Sequence, residues 1–108
     1  MIFTVLAVAA DTFRKLKDKE IRARLAGMEI TDEVHWAELY NRDGTLTVYS
    51  MGKKTTGKWL AKGDQLCLDD GAQDLECKEV WLSGNKVEFR HPGSTLPLEG
   101  ILQKQRPR

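Results

Sequence analysis

GTLTVYSMGKKTTGKWLAKGDQLCLDDGAQDLECKEVWLSG, residues 44–84, decides the fold. Residues 45–49 alternate, with Leu46 and Val48 on one side of an extended chain and Thr45, Thr47 and Tyr49 on the other. Residues 55–61 place Gly57, Trp59 and Ala61 on one face and Lys58 and Leu60 on the other. Lys62-Gly63-Asp64 reads as a tight turn into Gln65-Leu66-Cys67-Leu68-Asp69. A hairpin with its tip at Gly71-Ala72-Gln73 pairs 68 with 76 and 69 with 75, which sets Cys67 opposite Cys77. Residues 75–82 form the return strand, and Ser83-Gly84-Asn85 turns the chain again.

The pattern continues outward in both directions. Beyond the turn, Val87 and Phe89 are expected to point inward, His91-Pro92-Gly93-Ser94 breaks the strand, and 96–102 is a last strand weakened by Pro97. Lys104, Arg106 and Arg108 make residues 104–108 a basic tail, expected to fray. Upstream, Val34 to Tyr40 is rich in aromatic and β-branched residues, but its two faces are similarly mixed, so periodicity does not say which is buried. Asn41-Arg42-Asp43-Gly44 is a turn. Residues 13–27 read as one helix with Asp18 as N-cap, Ile21 and Leu25 on its apolar face, Lys19, Arg22 and Arg24 in water, and Gly27 at the C′ position. About seven or eight short strands separated by turn-sized gaps predict a mainly β, antiparallel up-and-down meander closing into a small barrel, with one N-terminal helix. Residues 13–103 then form one helix-capped domain, in keeping with a chain of 108 residues.

Charge excludes more than it suggests. Seventeen basic residues against sixteen acidic ones give a net charge of +1, which provides no electrostatic mandate for nucleic acid or an anionic membrane. The charges are unevenly placed: residues 14–24 are basic, and residues 64–79 carry Asp64, Asp69, Asp70, Asp74, Glu76 and Glu79. These are either two solvated surfaces or a dipolar docking surface.

Residues 1–10 are an apolar run ending in small residues before Asp11. They match the back half of a secretory signal, so 1–12 is a remnant of a signal segment, or else a first strand or helix of the core. Ten apolar residues are too few to cross a bilayer as a helix. A Cys67–Cys77 disulfide would contribute about 2.5 kcal/mol in the chain-entropy model, a large share for a domain this small. Two buried free thiols are the alternative. The disulfide reading places the protein in the periplasm or outside the cell.

Glu20-Ile21, Leu25, Gly27, Trp36, Asp43-Gly44-Thr45, Gly57-Lys58-Trp59, Leu66-Cys67 and Cys77 together form a set. It resembles a family of small exported bacterial lipocalin-like, calycin-type barrels, defined by an E-I-x-x-x-L-x-G helix, D-G-T, G-x-W and L-C…C. The resemblance covers residues 16–102. It implies the barrel fold and carries almost no function.

Candidate chemistry is sparse. Gly52-Lys53-Lys54-Thr55-Thr56-Gly57-Lys58 matches a phosphate-binding loop, but Trp59 stands where Ser or Thr must hold magnesium, and a strand follows where a helix is needed. His35 and His91, with Asp32, Glu33 or Glu38, lack metal-site spacing. No G-x-S-x-G elbow or paired nucleophile and base is present. The expectation is a protein without catalytic residues, metal or cofactor. Trp36, Tyr49, Trp59 and Trp81, with Arg22 and Arg24, are the candidate ligand or partner contacts, the tryptophans serving otherwise as packing. The sequence thus predicts a non-enzymatic periplasmic or secreted binding module of unknown partner. The alternatives are a carrier of a small apolar ligand in the barrel and a proteinase inhibitor.

Overall fold

A computed structural model describes residues 12–69 and 75–108. The signal-segment expectation for residues 1–11, and the hairpin tip with Asp70 and Asp74, lie outside these. The elements are β1 (Arg14–Lys15), α1 (Asp18–Leu25), β2 (Met28–Thr31), β3 (Trp36–Tyr40), β4 (Thr45–Ser50), β5 (Lys53–Lys62), β6 (Gln65–Asp69), β7 (Glu76–Ser83), β8 (Lys86–Arg90) and β9 (Leu98–Lys104).

Strands β2 to β9 are an antiparallel meander, and β9 pairs with β2 to close an eight-stranded barrel. Followed once around, the pairings return to β2 displaced by about 12 residues, so the strands tilt steeply and the barrel is wide for its strand number. The expected register holds, with Cys67 opposite Cys77. The two form a disulfide with Cα atoms 4.0 Å apart.

Alternation sorts the side chains. Tyr40 faces Leu46, Ile30 faces Leu102, and Val80 faces Phe89, all inward; all but Leu46 and Leu102 are completely buried. These side chains fill the end of the barrel bounded by the β3–β4, β5–β6 and β7–β8 turns. Leu16, Ile21 and Leu25 close that end, each contributing about 1.5–3 kcal/mol by leaving water.

The helix is shorter than its sequence pattern. Residues 14–15 are extended and pair with Leu82 and Trp81 of β7, and the Leu16 amide bonds the Val80 carbonyl. Leu16 reaches the core only from an extended chain, so the helix begins after it. Lys17 holds the N-cap position, and its amide donates to Glu20. Asp18, expected as the cap, instead accepts the Asp64 amide at 2.7 Å while its own amide donates to the Asp64 carboxylate at 2.9 Å. This reciprocal clasp pins the start of the helix to the β5–β6 turn. Gly27 ends the helix as expected, at φ 80°, and its amide bonds the Tyr40 carbonyl.

The basic tail is docked, not frayed. Glu29 points outward from β2 yet is wholly buried, because the tail crosses over it. Arg108 donates to both its oxygens at 2.8 and 3.1 Å, the Arg106 amide donates at 2.8 Å, and Gln103 at 3.2 Å. Pro97, which was expected within the last strand, precedes it, and β9 begins at Leu98.

Candidate functional site

A meander puts alternate loops at the same end. The β2–β3, β4–β5, β6–β7 and β8–β9 connections therefore share the end opposite α1. Val34 (79% exposed), Met51 (77%) and Leu96 (82%) sit in three of these loops. Leu75 and Leu98, also exposed, flank the other strand ends of the same rim. Of the exposed large apolar side chains among the described residues, only Leu60 lies elsewhere, on the outer wall.

At this end the inward-facing positions are less buried than at the other. Trp36, Val48 and Leu68 are half-buried, while Thr55 and Leu98 are exposed, although alternation directs all five into the barrel. The floor below them is polar. Lys78, which is almost fully buried, lies 3.8 Å from the Glu38 carboxylate and 4.1 Å from the centre of the Phe89 ring. Tyr40 donates its hydroxyl to Glu38. Burial, and then the adjoining Glu38 charge, push the Tyr40 phenol well above its ordinary range, so it stays a donor.

At the mouth, each histidine has its own carboxylate. His35 Nδ1 is 2.9 Å from Asp32, and His91 Nε2 is 2.8 Å from Glu76. Burial acts to raise the Asp32 carboxyl, but the amides of Trp36, Val34 and His35 converge on it and hold it well below the carboxylate range. That network fixes the β2–β3 loop and so sets Val34 outward. The β4–β5 hairpin forms an arm: Lys53–Gly57 pair with β4 alone among the described residues, with Met51 in its turn. The phosphate-loop lookalike is this turn and strand, with no helix after it.

The six candidate contacts do not form one patch. Trp36 lines the mouth. Trp59 is core, edge-on to Tyr40 at 5.7 Å, with its indole N–H on the Asn41 carbonyl at 2.9 Å. Tyr49 is on the outer wall, where the Arg108 guanidinium lies 5.1 Å from its ring. Trp81 is also on the outer wall, under Arg90 at 3.9 Å, with its indole N–H donating to Glu79. The Trp81 hydrogen bond first, and then Lys15, hold the Glu79 carboxyl below its ordinary value. Arg22 and Arg24 are exposed on α1; Arg22 shares a cleft with Trp59, and Trp36 and Tyr49 share another. The rim residues and the Glu38–Lys78 floor were not read from the sequence. The signal available was topological: an up-and-down meander gathers every second loop.

Comparison of the chain with protein-family profiles, curated proteins and solved structures gives no match.

Proposed function

We propose that this protein is a non-enzymatic binding module of the periplasm or the extracellular space, and that it holds a partner protein at the open end of its barrel. One observation carries the reading: Val34, Met51, Leu75 and Leu96, from the four connections at one end, are exposed there. Exposed apolar side chains at one end, interspersed with charged residues such as Glu33, Lys53 and Glu76, have the composition of a protein interface. Export is supported by the Cys67–Cys77 disulfide. The steep stagger and the helix-closed end support the calycin-type kinship suggested by the motif set. A non-catalytic role is supported by the way polar groups at the mouth satisfy one another, Glu38 with Tyr40 and Lys78, His91 with Glu76. These pairs fix a surface and activate no nucleophile.

A second reading, a ligand seated in the upper barrel, is favoured by the exposed inward positions Thr55 and Leu98. The charged floor suits a ligand with a polar end better than a wholly apolar one. The two readings separate in one experiment. A photo-reactive residue at position 51 or 96, in cells that make the partner, should give a discrete protein adduct. Position 56, on the outer wall, should give none. Met51→Glu with Leu96→Glu should remove binding without lowering the melting temperature. Equal adducts from position 56, or none from the rim alongside a small molecule co-purifying with the barrel, would overturn the first reading in favour of the second.

A further inference from the structure

Arg14, Lys15, Lys78, Arg90 and Arg108 each have a carboxylate partner. Arg22, Arg42, Lys58 and Lys62 are among the described cations that have none. These four lie together, on α1, the β3–β4 turn and the outer face of β5. Arg22 and Arg42 line one cleft of about 360 Å³ between the helix and that turn.

The cleft is built as well as charged. The Arg42 guanidinium lies against Gly27, where a Cβ would come 3.0 Å from its Nε, so the glycine at the end of the helix leaves the room it occupies. Arg22 reaches the Ala61 carbonyl at 3.5 Å, a long contact that leaves most of its donors unused. Trp59, Leu60 and Ala61 provide an apolar lining, and Leu60 is exposed although it is flanked along the strand face by Lys58 and Lys62. Asp43, a carboxylate in the lining, accepts from the amide and hydroxyl of Thr45 through one oxygen, Oδ1. The cleft thus presents two guanidinium forks above an apolar floor. A fork of this kind matches the two oxygens of a carboxylate or phosphate.

We propose that this cleft binds an oxyanion, a carboxylate or a phosphate, carried on an apolar body: Arg22 and Arg42 hold the anion, and Leu60 and Trp59 pack against the body. The site lies at the opposite end of the barrel from the rim, so it stands or falls independently of the partner reading.

The test is a titration of the intact protein followed through its backbone amide resonances, using hexyl phosphate and hexanoate below their micelle concentrations. Inorganic phosphate serves as the anion alone and hexanol as the apolar body alone. The amides of Gly44, Leu60 and Ala61 should shift saturably with the amphiphilic anions, while inorganic phosphate binds about tenfold more weakly and hexanol not at all. The tighter of hexyl phosphate and hexanoate identifies the oxyanion. Arg22→Gln and Arg42→Gln should each weaken binding about tenfold, since each removes a charge-assisted bidentate contact. Arg42→Lys, which keeps the charge and loses the fork, should fall between. Lys104→Gln, at the same net charge, should stay within about twofold. No saturable shift up to about 10 mM, or equal losses in Arg22→Gln and Lys104→Gln, overturns the proposal.

Discussion

Gly100 shows how little room the lower barrel leaves. It faces inward from β9, and a Cβ there would sit 2.8 Å from Ile30 Cγ2, 3.0 Å from Trp36 Cη2 and 3.3 Å from the Thr31 carbonyl. Its φ is ordinary for any residue, so the requirement is for space and not for backbone freedom. Two of the three neighbours are the stiff side chain of Ile30 and the backbone, neither of which can move aside cheaply. Gly100→Val should therefore destabilise the fold by about 1–3 kcal/mol, read as a lower denaturant midpoint at an unchanged slope. Gly44, with nothing within 4 Å of its Cβ position, would be limited by its φ of 89° instead. The sequence shows both glycines alike; only the packing around them separates crowding from conformation.

At the scale of elements, the tail is a strap. Leu39 and Ala37 face outward on β3 and are nevertheless buried, as is Glu29 beside them, along the path of residues 105–108. Burial acts to raise the Glu29 carboxyl, but the Arg108 guanidinium, the Arg106 amide and Gln103 outweigh it and hold it below its ordinary value. A carboxyl whose folded pKa is depressed adds stability that is present above the unfolded pKa and lost as the pH falls through the folded one. The strap should thus hold fully at neutral pH and loosen only in acid, below the ordinary carboxylate range. Arg108→Ala should cost about 1–3 kcal/mol near pH 7, and the difference from the unmodified protein should shrink on acidification, as measured by denaturant unfolding at a series of pH values. A constant difference across that series would mean that Arg108 acts through packing on Tyr49 and not through Glu29.

The strap, the short β1 and the polar floor share a reason for being illegible in the sequence. Glu29 and Arg108 are 79 positions apart, and no local pattern links them. Residues 14–15 carry no strand signal, and they become a strand only because part of β7 is left for them to pair with. Residues 34–40 offered two mixed faces, and closure of the barrel, not alternation, decided that Glu38 and Tyr40 turn inward. The strands, turns and facing cysteines were legible because hairpin register is local. The rim was legible only in principle, as a consequence of meander topology: each of its loops offers a single apolar residue of no note by itself.

Taken whole, the barrel has one thin seam among the described residues. β6 and β7 meet through three residue pairs, Leu66 with Lys78, Cys67 with Cys77 and Leu68 with Glu76, whereas every other neighbouring pair in the closed barrel has at least four among the described residues. Above Lys78, β7 turns away from β6, and β1 with Leu16 takes the vacated edge. The disulfide sits in the middle pair of this seam, so it does more than shorten a loop: it holds the meander closed where the pairing among the described residues is shortest. Replacing both cysteines by alanine should cost about 2.5 kcal/mol from the loop alone, with a further loss because Cys67 is fully buried. The distribution of that loss is the sharper expectation. Amide exchange should accelerate first along β6, the start of β7 and β1, whose pairings depend on the seam, while the β3–β4 pairing across the barrel follows only through global unfolding. Uniform acceleration in every strand would show that the bond acts on the unfolded chain alone and that the seam is closed by packing.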